Sequence, residues 1–238
     1  MTELVRIADG VHALESSLRV FAGFHLPVRS TLLSLDGGGL MVISPLRVDD
    51  ALAARVDALG RVTQLVSPNK FHHLFVGEAA ARWPAAQVHL ARGLPEKLGK
   101  LGREVPPHSV LPASMPADVE AIAIEGVPLL GETLFFHPSS RTLVVTDLVF
   151  HVLAPTGLLT GLILRMVGAH RVLAQGLELR LLVRDREAAR RSLERVMALD
   201  FTRLVMAHGA VVDVDAKERL RAALRYMLAV PAARQLRA

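Results

Sequence analysis

Cysteine is absent from this chain of 238 residues. Without a thiol, the protein has no disulfide, no thiolate metal site and no cysteine nucleophile, and it suits a reducing compartment. The N-terminus, MTELVRIADGVHALESS, carries Glu3 and Asp9 and lacks the apolar core that a secretory signal needs. We therefore expect the protein to be cytoplasmic.

Aromatic residues and long apolar runs are also scarce. With one Trp and one Tyr, the chain has little material for stacking nucleic-acid bases. Its formal charge of +5 comes mostly from arginines spread over the whole chain, with local concentrations at 180–195 and 217–237. This distribution favours solvated helix faces over a nucleic-acid partner. The longest apolar stretch, 148–164, is interrupted by a proline, a histidine and two threonines, so we expect no membrane span.

The chain has enough apolar residues for one large core. A hydrophobic fraction of 51% with 21% charged residues indicates a single well-packed domain over residues 1–238. Three strand patterns, VHALESS, STLLSLDGG and LMVISP, open the sequence, and Asp36 with the three glycines at 37–39 marks a hairpin tip between the last two.

Between residues 43 and 91 strands and helices alternate, which is typical of an α/β fold. Helices are predicted at 49–59, 74–83, 158–174, 184–199 and 215–228. Further strands are predicted at VTQLVSP, QVHLA, AIAIEG, TLFFHP, RTLVVTD and TRLVMAHG. Between 93 and 116, proline and glycine indicate an irregular surface excursion.

Three of these strands end in residues that bind metals. VTQLVSP leads to His72 and His73, RTLVVT leads to Asp147, and TRLVMA leads to His208. Loops at the carboxyl ends of strands converge on one rim of a sheet, and imidazole and carboxylate groups suit zinc or iron. Taken alone, each histidine is more often a packing residue, and neighbouring histidines converge only in a loop or a first helical turn.

The order of elements, the ending TRLVMAHG and the phrase RTLVVTDLVF resemble the metallo-β-lactamase superfamily over residues 11–228. More closely, SPNKFHHLF and FFHPSSRTLVVTDL are similar to its DUF4336 branch. The resemblance implies an α/β fold of the αββα type, in which two mixed sheets are flanked by helices. It also implies a metal-dependent hydrolase.

The superfamily's first motif, His-x-His-x-Asp-His, falls on residues 68–73. Pro68 and Lys70 replace the first two histidines, His72 replaces the aspartate, and a further family histidine is missing near 126–128. In the superfamily the three missing histidines belong to the first of two metal sites, whereas the aspartate position, the adjacent histidine, the bridging aspartate and the terminal histidine serve the second. The resemblance therefore implies one divalent ion, zinc ahead of iron, held by His72, His73, Asp147 and His208.

Catalytic roles are expected for Asp147 and for Lys70. Lys70 stands where a histidine would be, so its ammonium could fill the vacated space, pair with Asp147 or bind an anionic substrate group. A solvent-facing loop lysine is the equal alternative. His137 and His151 are two further candidates: each could approach the metal or donate a hydrogen bond to one of its ligands.

The predicted function is hydrolysis of an ester, lactone or related bond in a small-molecule substrate by a metal-activated water. Two alternatives stay open, a non-catalytic metal- or ligand-binding protein and a redox iron protein. The apolar segment 152–167 could be a lid, a membrane-facing patch or the surface of a homodimer.

Overall fold

The structure is a computed structural model that describes residues 2–21, 23–112, 115–155 and 157–229. The first half of the chain forms a sheet of seven strands that are hydrogen-bonded in chain order. These strands are β1 (Glu3–Ala8), β2 (Val11–Phe21), β3 (Phe24–Leu35), β4 (Gly39–Ile43), β5 (Arg61–Ser67), β6 (Gln87–Leu90) and β7 (Ser109–Val110). The pairs from β1 to β4 are antiparallel and those from β4 to β7 are parallel.

A second, four-stranded sheet has the order β11-β10-β9-β8. Its strands are β8 (Glu120–Ala123), β9 (Thr133–His137), β10 (Thr142–Val145) and β11 (Arg203–Met206). Only the pair β10 and β11 is parallel among its described pairs. Both sheets are therefore mixed.

The helices are α1 (Asp50–Asp57), α2 (Val76–Arg82), α3 (Leu94–Lys100), α4 (Leu158–Met166), α5 (Leu177–Leu182), α6 (Arg186–Ala198), α7 (Ala216–Ala223) and α8 (Arg225–Leu228). Asp49 caps α1 as predicted, because its carboxylate accepts from the Leu52 amide at 2.8 Å. Within the described ranges, the helices lack the length and apolar character needed to cross a membrane.

Alternating side chains on the strands build the layers. On β4, Leu40 and Val42 pack with buried residues of α1, α2 and α3, whereas Met41 and Ile43 pack against Phe135 of the second sheet. The other face of the second sheet packs against α6, α7 and α8. Successive side chains point to opposite faces of a strand. The result is the predicted αββα sandwich.

Four details differ from the sequence predictions. The excursion expected between 93 and 116 contains α3 and β7, and α3 is held by Leu94 and Leu98, which are one turn apart and fully buried. β1 and α5 were not predicted. The helix expected at 158–174 ends at Met166, shortly before Gly168 takes a left-handed conformation. Residues 230–238 of the expected single domain lie outside the described residues.

Candidate metal centre

Three strand ends meet at one edge between the two sheets. Asp147 follows β10, His208 follows the neighbouring parallel strand β11, and His72 lies in the loop between β5 and α2. One ligand atom from each of these residues lies within 4.8 Å of the other two. Two imidazoles and one carboxylate form a donor set that suits zinc or iron.

Asp147 stands between the two imidazoles. Nε2 of His72 lies 3.2 Å from Oδ2 of Asp147, and Nε2 of His208 lies 3.0 Å from Oδ1. The three side chains are largely buried, with exposed fractions of 10%, 5% and 14% for His72, His208 and Asp147. All three therefore direct their donor atoms toward one small, partly dehydrated volume.

The second nitrogen of each imidazole is already held. Nδ1 of His208 lies 2.8 Å from the carbonyl oxygen of Pro27, which only accepts, so Nδ1 carries a proton there. Nε2 of His208, which faces Asp147, is then left to bind a metal ion. Nδ1 of His72 is hydrogen-bonded to the Ser44 hydroxyl. Metal-binding histidines are commonly fixed in this way by an outer partner, so the residues fit a divalent ion.

Packing fixes the ring and backbone at His208. The ring of Phe150 stacks on the His208 imidazole, with centroids 5.1 Å apart and an interplanar angle of 11°. Gly209 follows with φ +110°, and a Cβ there would lie 2.1 Å from the carbonyl oxygen of His151. A glycine is needed at this position because its backbone approaches that of His151 so closely.

Asn69 connects the loop to the ligands. It is completely buried, and its side-chain oxygen Oδ1 accepts from the backbone amides of Phe71 at 2.8 Å and His72 at 3.0 Å. Its side-chain amide donates to Oδ2 of Asp147 at 2.7 Å. This turn orients His72 and Asp147 together.

Glu132 supports Asp147 from behind. Its carboxylate is 1% exposed and accepts from the backbone amides of Thr146 at 2.7 Å and Asp147 at 3.0 Å. Burial, and next the negative charge of Asp147, raise the pKa of Glu132 to about 7. A buried carboxyl that accepts two backbone amides holds the segment carrying Asp147 in one conformation.

The pKa of Asp147 shifts in the opposite direction. Burial alone raises it, but the electrostatic interactions and hydrogen bonds of Asp147 with His72 and His208 outweigh burial, so the pKa lies below its ordinary value. Asp147 is thus an ionised ligand, while Glu132 next to it has the higher proton affinity.

Sequence reasoning missed Asn69 and Glu132. Asn69 comes two residues after the buried end of β5, and Glu132 comes directly before β9. A polar residue at the end of an apolar strand was the available signal. It does not distinguish a buried partner of a ligand from an exposed loop residue.

The structure places His73 and Lys70 on the other side of the loop. In the described part of the chain His73 is outside the converging group and its Nδ1 has no hydrogen-bond partner. Burial and then the charges of Lys97 and Arg103 lower the pKa of His73 to about 4. The Lys70 ammonium donates to the Pro128 carbonyl at 2.8 Å and is not brought to Asp147.

The remaining candidates have structural partners. His137 contacts the Ser140 hydroxyl and the Ser34 carbonyl oxygen. His151 contacts the Ala210 carbonyl oxygen and the Arg219 guanidinium. Neither is in the converging group of the described residues.

A cavity of about 320 Å³ borders the three ligands. The three ligands and Ser44 supply its polar lining, and apolar side chains supply the rest. A volume of this size is within the range of small-molecule sites. The ligands therefore lie at the wall of a space that a substrate can enter.

Comparison with protein families gives one match. The family described as "Domain of unknown function (DUF4336)" matches residues 8–160, well over half of the chain. The chain belongs to the DUF4336 family. Within this DUF4336 protein, the match includes Asn69, His72, Glu132 and Asp147, and His208 lies beyond it. Comparison with curated protein sequences found no match.

Solved structures show the fold. A metallo-beta-lactamase from Erythrobacter litoralis is 16% identical, with a TM-score of 0.65, and the match covers 94% of this chain and 96% of that one. The enzyme from Pontibacter korlensis is 13% identical with a TM-score of 0.63, over 94% and 99% of the two chains. FIM-1 from Pseudomonas aeruginosa, in a mono-zinc form, is 12% identical with a TM-score of 0.62, over 95% and 94%. The DUF4336 protein therefore has the metallo-β-lactamase fold.

Proposed function

We propose that this DUF4336 protein is a hydrolase that uses one divalent metal ion, zinc ahead of iron, to cleave an ester, lactone or related bond in a small molecule. One observation carries the proposal. Three ligand atoms within 4.8 Å of one another border a cavity of about 320 Å³. Three protein ligands with an open position are typical of catalytic zinc sites, whereas structural sites are closed by four.

Each residue of the centre has a proposed role. His72, Asp147 and His208 hold the ion, and Asn69 and Glu132 keep Asp147 in place. A bound divalent ion supplies a nucleophilic water near neutral pH and polarises the carbonyl of the substrate. The apolar lining excludes other water from the reacting bond, which strengthens every charge interaction in the centre.

A single ion is proposed rather than two. Pro68 and Lys70 stand where a first-site ligand pair is expected, and neither side chain offers a neutral nitrogen donor. The structural similarity to FIM-1, described in a mono-zinc form, supports a fold that accepts one ion.

Metal analysis of the purified protein, together with an activity screen, tests this proposal. We expect about one equivalent of zinc per chain, and metal-dependent hydrolysis of one class among aryl esters, lactones, thioesters and phosphodiesters. Removing the metal with a chelator should abolish this hydrolysis, and adding zinc back should restore it. A folded protein that binds no ion after supplementation, or that binds zinc and cleaves none of these classes, would contradict the proposal.

Oxygen chemistry at iron is the second candidate, favoured by the donor set itself. Two histidines and one carboxylate with open positions are also the ligands of non-haem iron oxygenases. Purification without oxygen, followed by iron loading, distinguishes the two. Oxygen consumption that requires iron and is absent with zinc would favour this candidate.

A further inference from the structure

The cavity beside the metal ligands has a mainly apolar lining. Ten of its fourteen lining residues are apolar, and the other four are Ser44 and the three ligands. Apart from those ligands, no titratable residue of the described chain lines it. A molecule that reaches the ligands must therefore place an apolar part against this wall.

One side of the cavity is a face of the β2–β3 hairpin. Leu18 lies opposite Leu26 in the antiparallel register. Alternation along the strands places Val20 and Val28 on the same face. All four side chains line the cavity, although Val20 is 50% exposed. A chain-like ligand that covers these side chains gains the free energy of removing them from water.

A second part of the lining comes from the segment that precedes α2. Phe71, Leu74 and Phe75 line the cavity there, and Phe71 and Leu74 are 51% and 41% exposed. These three residues belong to the same loop that presents His72, between β5 and α2. The apolar surface and the metal ligands therefore share one continuous cavity.

Two cations near this wall already have partners. Arg47 lies over the Phe75 ring and forms an ion pair with Glu78. Lys97 lies over the Phe71 ring and donates to the backbone carbonyl of Lys70 at 2.5 Å. These charges have partners and do not line the cavity. The cavity therefore favours a ligand with an uncharged chain over one with an anionic chain.

We propose that this cavity binds a single uncharged alkyl or acyl chain of the substrate and places its carbonyl group at His72, Asp147 and His208. This inference rests on the proposed function for the identity of the reacting group. The volume of about 320 Å³ equals that of about ten liquid waters, which is room for a chain of about ten heavy atoms.

Calorimetric titration of the metal-loaded protein with methyl ketones, from butanone to dodecanone, tests the proposal without any hydrolysis. We expect affinity to rise by up to about fourfold per added methylene and to level off near nonanone, with a negative heat-capacity change. An affinity that does not depend on chain length would overturn the proposal.

Leu26→Glu places a charge in the cavity, and Ser17→Glu places the same charge on an exposed neighbouring position of the hairpin. We expect Leu26→Glu to weaken nonanone binding at least tenfold and Ser17→Glu to leave it unchanged. If the Leu26→Glu protein does not fold, the variant Leu26→Ala tests the same point. It removes three side-chain carbons and enlarges the cavity, so the chain length at which affinity levels off should move to longer ketones. An unchanged plateau in a folded Leu26→Ala protein would contradict the proposal.

The ketone series and the activity screen fail independently. Chain-length-dependent ketone binding without hydrolysis of any ester class would refute the proposed function and leave the alkyl site standing. Ester hydrolysis whose kcat/KM does not depend on acyl length would support the proposed function and refute the alkyl site.

Discussion

The loop from residue 69 to residue 73 has two sides with opposite electrostatic character. On one side, His72 lies 3.2 Å from the ionised carboxylate of Asp147 and borders the apolar cavity. On the other side, burial and next the charges of Lys97 and Arg103 lower the pKa of His73. Two adjacent residues of one type thus have opposite environments. A cation is stabilised on the first side and repelled on the second.

We expect the largest effect on zinc affinity when the variant His208→Ala is compared with the variant His73→Gln. Removing one of three ligands should weaken zinc binding by more than the roughly 10- to 100-fold that outer partners contribute. His73→Gln should leave zinc affinity within a few-fold, because His73 lies outside the converging group. Competition with a chromophoric chelator measures both affinities, and circular dichroism checks that both variants fold. Equal losses in the two variants would remove the distinction between the two sides.

Glu132→Gln should have the next largest effect. Glutamine has a single oxygen, so it cannot accept from both the Thr146 and Asp147 amides as Glu132 does. We expect zinc affinity to fall about 10- to 100-fold and the free energy of unfolding to fall by about 1–3 kcal/mol. The exposed Glu125→Gln is the matched control, and it should change neither quantity. Wild-type zinc affinity in a folded Glu132→Gln protein would show that this carboxylate does not position Asp147.

The variant Lys70→Met tests the second side of the loop by removing the ammonium group of Lys70. Loss of the hydrogen bond to Pro128 should lower the free energy of unfolding by about 0.5–1.5 kcal/mol. Zinc affinity should change by less than about fivefold, because a charge outside the cluster contributes at most about 1 kcal/mol. Urea unfolding and the same chelator competition measure the two effects. A large rise in KM for anionic substrates, with unchanged stability, would instead support Lys70 as a group that binds the substrate.

His89 lies outside this loop, and it allows loss of the metal at low pH to be distinguished from unfolding at low pH. Burial lowers the pKa of His89, which is held between Gln64 and Ser109. Above pH 6.5 His89 is neutral in both states; below it, the unfolded chain takes up a proton that the folded chain does not. Stability should therefore fall with decreasing pH, by up to about 1.4 kcal/mol per pH unit for this group.

The variant His89→Gln should show a shallower loss of stability between pH 7 and pH 5.5, measured by urea unfolding of the metal-free protein. Its zinc affinity should equal that of the wild type at each pH. An unchanged slope of stability against pH would mean that another buried group dominates the acid response.

Much of the layered fold could be predicted from sequence because burial alternates along each strand. Leu40 to Ile43 alternate between the two cores, and the glycines after β3 mark the hairpin. Short elements were missed where only one pair of side chains signals them. In α3 the buried residues are Leu94 and Leu98, which lie one helical turn apart. Two residues are too few to produce a recognisable helical period in the sequence.

The centre itself was only partly predictable. His72, Asp147 and His208 could be named because each follows a recognisable strand, and the structure brings these three together. The positions of the His73 and Lys70 side chains could not be predicted from sequence. They depend on the turn that Asn69 stabilises by accepting two backbone amides with its own side chain. Glu132 was not recognised because its partners are backbone amides of a distant strand end.

The sequence by itself determined the alternation of strands and helices, the absence of thiol chemistry and the choice of imidazole and carboxylate donors. Side-chain type and spacing act locally, so these features follow from neighbouring residues. Tertiary structure alone decided which donors meet, which neighbour of His72 is turned away and that the ligands border an apolar cavity. Those features depend on contacts between residues as far apart as Pro27 and His208, which the packing of two sheets brings together.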